Sequence, residues 1–249
     1  MVEVVKGMVM KYLRSLVALS TMHLRVLLYF WPYYLMSSLL TPLLVVLMLY
    51  YVLGYTANVL YLICAMFTLS SLGTFTMISQ DISSLKQTQV YEFYASLPIS
   101  PLDYVLSKLI ANLVMYIPSI AVLLLTGYLL TGTLPNIPLF AIAVVISYTA
   151  FIWLGMIVGL YSRNPVQANV ISMIVYLVLL FGSPMYGPIS NTNLVLRTAA
   201  LVLPTTHIAK VFRSSYCIES VSPDTITYLA IWYIVNTVII SRRLRWTLE

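Results

Sequence analysis

Chemistry in this chain must come from a short inventory: two histidines, two cysteines, seven acids and thirteen basic residues among 249. His23 and His207 lie far apart, and neither has a second ligand at metal spacing, so both read as polar surface residues. Cys64 and Cys217 form no CxxC pair, and Cys64, set in an apolar run, reads as a small buried thiol. None of the nine glycines opens a GxxxxGK[ST] loop, so the chain carries no cradle for ATP phosphates. No converging His, Asp or Ser/Lys set falls within the apolar segments, which leaves a membrane-embedded enzyme without reacting groups. No catalytic residue, no metal and no cofactor is expected in this chain.

Residues able to do mechanical rather than covalent work lie close together. Asp81, Lys86, Glu92 and Asp103 cluster in the stretch 80–103. Within it, 84–96 reads as a short helix offering Leu85, Tyr91 and Tyr94 for packing. That helix stops at Leu97, because the residue before a proline is pushed out of the helical region. Ser100 is then a good N-cap, Pro101 suits the first helical position, and Asp103 sits where a capping-box acid belongs. Leu97-Pro98-Ile99-Ser100 is therefore a sharp turn that exposes Leu97 and Ile99. An apolar knob of fixed shape facing water suits a partner protein, the plain alternative being a helix hairpin.

Composition says what must position these residues. The chain is 61% hydrophobic and 8% charged, with a mean hydropathy of +0.96. Soluble domains carry about 25% charged residues, and disorder needs low hydrophobicity. Only a bilayer suits as solvent. A net charge of +6 spread this thinly makes no dense basic patch, so nucleic acid is not an expected partner. The fold class is all-α, a polytopic membrane protein. Six segments are long and apolar enough to span about 30 Å of hydrocarbon, near 27–50, 57–79, 104–130, 138–161, 166–187 and 224–241. Residues 1–25 precede them as an amphipathic helix rather than a cleavable signal. Its cationic stripe suits anionic headgroups, although an ordinary lead-in to the first span is the alternative.

The basic residues set the orientation. Lys6, Lys11, Arg14, Arg25, Lys86, Lys108, Arg163, Arg242, Arg243 and Arg245 fall on one side, and Arg197, Lys210 and Arg213 on the other. Both termini and the segment 80–103 are then cytoplasmic, and 188–222 is extracellular. Tyr29, Phe30, Trp31, Tyr33 and Tyr34 read as an inner aromatic belt, and Tyr50, Tyr51, Tyr55 and Tyr61 as an outer one. Asp and Glu are absent from the interiors of all six spans, Asp224 standing at the start of the last, which weighs against a proton-driven carrier. Pro32, Pro42, Pro118 and Pro184 interrupt the spans, and Gly155 with Gly159 offers a small-residue face for packing within the chain or for a dimer seam. Ser37, Ser38, Asn112 and Asn169 are candidates to line a translocation path, with bonding between helices the competing role. Such an uncharged interior suits a hydrophobic or amphipathic substrate.

Glu92 through Lys108, Glu-Phe-Tyr-Ala-Ser-Leu-Pro-Ile-Ser-Pro-Leu-Asp-Tyr-Val-Leu-Ser-Lys, resembles the link between spans two and three in type-2 ABC exporter permeases. Leu203-Pro204, with Arg213 nine residues on, is similar to a second signature of that family. The order of elements over 1–249 matches a single permease domain. The resemblance implies that 80–103 is a coupling segment seated on a separate ABC ATPase subunit, which would hold ATP and Mg. Glu92, Leu97, Pro98, Ile99, Ser100 and Pro101 would make that contact. It also implies a re-entrant 188–222, a second permease copy, most simply as a homodimer, outward transport, and a prokaryotic cell membrane with its lipids as surroundings. The rival expectation is an ion-gradient-driven carrier without an ATPase.

Overall fold

The computed structural model describes residues 2–53, 59–88, 94, 96, 101–187 and 194–243. Every regular element among them is helical: α1 (Val2–Tyr29), α2 (Trp31–Leu53), α3 (Val59–Leu85), α4 (Pro101–Thr131), α5 (Ile137–Tyr161), α6 (Pro165–Phe181), α7 (Leu194–Leu201), α8 (Pro204–Ser215) and α9 (Pro223–Arg243). Among the described residues, α3, α4, α5 and α9 are long and apolar enough to cross a bilayer. α6, at 17 residues, is a shorter apolar helix that reaches only about 26 Å at 1.5 Å per residue. α2 is 23 residues long and contains no charged residue.

Local chemistry starts these helices. Asn136 caps α5 by accepting the Leu139 N–H at 3.3 Å, and Asn164 caps α6 by accepting that of Gln167 at 2.7 Å. The Gln167 side chain reaches back to accept the N–H of Arg163, the residue before the cap, at 2.8 Å, a variant of the capping box that fixes the sharp α5–α6 turn. Pro32 falls at the second position of α2, where its missing N–H costs nothing, so it opens a helix instead of breaking a span. Pro118 does lie inside α4, and Pro184 lies in the non-helical stretch after α6.

α3 is the central helix. It packs against α2, α4, α5, α6 and α8, and its buried positions run from Leu62 to Ser83. Four of its hydroxyls are satisfied within the helix itself: Thr68 donates to the Cys64 carbonyl at 3.0 Å, Ser71 to Thr68 at 2.8 Å, Thr74 to Ser71 at 2.7 Å and Ser79 to Thr76 at 2.8 Å. Against α5 the approach is close enough to require glycine. A Cβ on Gly155 would stand 2.6 Å from the Phe75 carbonyl oxygen, and one on Gly159 2.7 Å from that of Ser79. The small-residue face thus serves packing within the chain. Cys64 is fully buried in the same core. At the α8 end of α3, Phe67, Phe140 and Phe212 form an aromatic cluster, with Phe67 centroids 4.8 Å from Phe140 and 5.6 Å from Phe212. α1 lies along α4, where Leu27 packs on Ala111 and Met115.

Candidate functional site

Where α3 ends, three helix termini are pinned together. The Lys108 Nζ of α4 meets Asp81 Oδ2 of α3 at 2.8 Å. Lys86, just past α3, donates from Nζ to the carbonyls of Gly159 at 3.0 Å, of Leu160, and of Ser162 at 3.2 Å. One ammonium thereby satisfies the last carbonyls of α5, where a cation also complements the helix dipole. Burial pushes the Lys86 pKa down from its usual value. The chain leaves this cluster into residues 89–100 and re-enters it at Pro101, the first residue of α4. Glu92, Leu97, Pro98, Ile99 and Ser100, expected to form the coupling contact, lie outside the described residues. Tyr94 is buried against Tyr104 of α4, with ring centroids 5.2 Å apart.

His23 belongs to this end as well. Expected at the surface, it is 5% exposed, with its ring edge-on to Tyr104 at 5.1 Å. The correction has a simple cause: α1 lays its His23 face on α4, a contact that local sequence does not reveal. Burial first, and then the Lys108 charge, lower its pKa from 6.5 to about 3, so the ring is neutral in the folded protein. Between these values the unfolded chain binds a proton that the folded chain refuses. Stability is therefore complete above the upper value and falls as pH drops, by at most about 1.4 kcal/mol per unit. Thermal unfolding of wild type and His23→Gln from about pH 7 to about pH 5 checks this, the wild type losing more. Equal slopes would refute it.

The path candidates fall on three different helices. Ser37 and Ser38 fall within α2. Asn112 is buried and donates from Nδ2 to the Lys108 carbonyl of its own helix at 2.8 Å. Asn169 is exposed on α6 and accepts from Gln80 Nε2 of α3 at 2.9 Å. Elsewhere in the spans, Ser70 and the Tyr148 hydroxyl meet at 3.2 Å, and Asn236 donates to the Trp232 carbonyl at 2.6 Å.

The opposite end of α3 holds a cluster that the sequence reading missed. Arg213 of α8 is 2% exposed. Its Nη2 donates to the carbonyls of Pro184 and Met185, each at 2.9 Å, and of Gly187 at 3.2 Å. Its Nη1 faces Glu219 Oε1 at 3.4 Å, and its guanidinium lies 4.4 Å from the Tyr61 ring centroid. The Tyr61 hydroxyl donates to the same Glu219 oxygen at 3.0 Å. Tyr61, expected in an aromatic belt, is instead a partner of this buried cation. Glu219 is returned toward Arg213 by the end of α8. There Cys217 takes a left-handed φ of 57°, and the Arg213 carbonyl accepts N–H groups from Tyr216 at 3.2 Å and Ile218 at 3.1 Å. The available signal was Glu219 itself, the lone acid between residues 188 and 222.

His207 requires the same correction as His23. It is 4% exposed and stacks on Tyr228 of α9 with centroids 3.9 Å apart. Its Nε2–H donates to the Leu201 carbonyl at 2.9 Å, leaving Nδ1 toward the Thr225 hydroxyl at 3.5 Å. Burial is the main cause that lowers its pKa. Both histidines thus join helices. No group of three His, Cys, Asp or Glu side chains gathers into a metal site among the described residues.

The sequence profile of the ABC-2 type transporter family matches residues 15–217, from within α1 to just beyond α8. No curated protein matches the chain. The matched stretch includes the Lys86 and Lys108 contacts at one end of α3, Arg213 and Tyr61 at the other, and the glycine contact between them. With a match over more than half its length and an all-helical fold of apolar, membrane-length helices, the chain belongs to the ABC-2 type transporter family, as a multi-pass, non-catalytic transmembrane component of ABC-type transport.

Proposed function

We propose that the chain is the permease subunit of an ATP-driven exporter, working as two copies with two ATPase subunits. One observation carries the proposal: Lys86 and the Asp81–Lys108 pair tie the ends of α3, α4 and α5 together on either side of residues 89–100. A push on that link would be felt by three helices at once, as a coupling element requires. Leu97, Pro98 and Ile99 would pack into the ATPase, Glu92 would meet a basic group on it, and Ser100 and Pro101 would fix the turn. ATP and Mg would bind the partner, because this chain has no phosphate loop. Spans with no charge deep inside them suit a hydrophobic or amphipathic substrate passing outward, with both termini cytoplasmic.

The test is co-purification with the cognate ATPase and transport in vesicles. Leu97→Asp and Ile99→Asp place an unpaired charge in an apolar contact, so each is expected to cut recovered ATPase at least about tenfold. Full assembly in both variants, or transport that persists in ATP-depleted vesicles, would overturn the proposal.

A further inference from the structure

α1 and α4 do not close on each other along their whole contact. Beside the Leu27 packing they leave a groove of about 170 Å³, lined by Leu24, Leu28, Trp31, Val114, Met115 and Pro118. Pro118 lies inside α4 and cannot supply the N–H that the Val114 carbonyl would otherwise accept, and both residues line the gap. Leu28 is 50% exposed, Trp31 51% and Val114 42%, so the groove opens outward. In a bilayer such an opening is filled by hydrocarbon rather than water. The volume admits a run of methylenes but not a helix, whose diameter with side chains is about 10 Å.

Charge identifies which hydrocarbon. Arg25 lies one turn before Leu28, on the neighbouring stripe of α1, is exposed, and has no acidic partner among the described residues. Arg14, three turns earlier on the same stripe, is also exposed. No acid falls between Glu3 and Asp81, so the turns of α1 beside the groove carry cations alone, and the acid of α4, Asp103, is buried. We propose that the groove binds one acyl chain of an anionic phospholipid, whose phosphate rests against Arg25. This site stands apart from the transport reaction and does not depend on an ATPase partner. Its occupant would fill the gap that separates α1 from α4 and so set how firmly α1 is held.

Native mass spectrometry of the full chain, given equal phosphatidylglycerol and phosphatidylcholine, tests the site. Wild type is expected to retain one phosphatidylglycerol per protomer in preference to phosphatidylcholine. Arg25→Gln, a change on the exposed face, is expected to lower that preference about fivefold. Val114→Phe and Leu24→Phe fill the groove and are expected to reduce retained lipid of both kinds severalfold. Equal retention of the two lipids that Arg25→Gln leaves unchanged would overturn the proposal. So would undiminished retention in both groove-filling variants. A change of oligomeric state in those variants with lipid retention intact would make the groove a seat for a second chain, and would equally overturn it.

Discussion

Arg213→Leu is expected to cost about 3–5 kcal/mol, the largest loss from any single polar substitution described for this protein. The leucine removes the donors that hold the Pro184, Met185 and Gly187 carbonyls, and leaves Glu219 and Tyr61 with only each other. The buried Met185 carbonyl then carries its own desolvation penalty, and the half-buried Pro184 and Gly187 carbonyls carry part of theirs, which together exceed the modest net value of an ordinary hydrogen bond. Arg213→Lys keeps the charge but not the planar fork, so it recovers only part of the loss. Glu219→Gln costs less, since its side chain is 28% exposed and the arginine retains its carbonyls. Thermal unfolding in detergent orders the three variants. Limited proteolysis is expected to find the 184–222 region opened first in Arg213→Leu. Equal stability of Arg213→Leu and wild type would show that the cluster holds nothing together.

The second large effect is steric. Gly155→Ala and Gly159→Ala are each expected to destabilise by about 1–3 kcal/mol, and the leucine variants by more, because α3 and α5 must separate along their length. The added carbon meets backbone oxygen, which cannot turn aside as a side chain can. Gly73→Ala supplies the contrast. Nothing lies within 4 Å of its Cβ position, so alanine is expected to gain about 0.5–1 kcal/mol from helix propensity. Opposite signs for the two kinds of glycine in one melting series would establish the close approach. Uniform small shifts would exclude it.

These two sites also mark how far local sequence can be read. Hydropathy alone predicts apolar helices, because the bilayer imposes length and polarity on every span regardless of what packs beside it. Gly155 and Gly159 show as a face because a spacing of four residues carries its own meaning in a helix. The carbonyls around Arg213 do not, since every residue has a carbonyl and nothing local says which three will gather. Tyr61 reads as a belt residue until Glu219, 158 positions away, takes its hydroxyl. His23 and His207 read as surface groups for the same reason, as Tyr104 and Tyr228 reach them through helix packing. The turn expected at Leu97–Ser100 rests on proline and capping chemistry alone, lies outside the described residues, and awaits the co-purification test.

The hydroxyls of α3 have a consequence for the making of the protein. A chain is delivered to the membrane from its N-terminus, so α3 arrives before α5, α6 and α8, which later enclose it. During that interval a buried polar helix would face lipid with its serines and threonines unsatisfied. In α3 the hydroxyls of Thr68, Ser71, Thr74 and Ser79 each already have a carbonyl three or four residues back. These four groups need nothing from another helix, so the later helices can dock beside them without breaking a hydrogen bond, whereas Ser70 meets Tyr148 only once α5 has docked. Much of the polarity of the finished core is thus compatible with the solitude of α3 during synthesis.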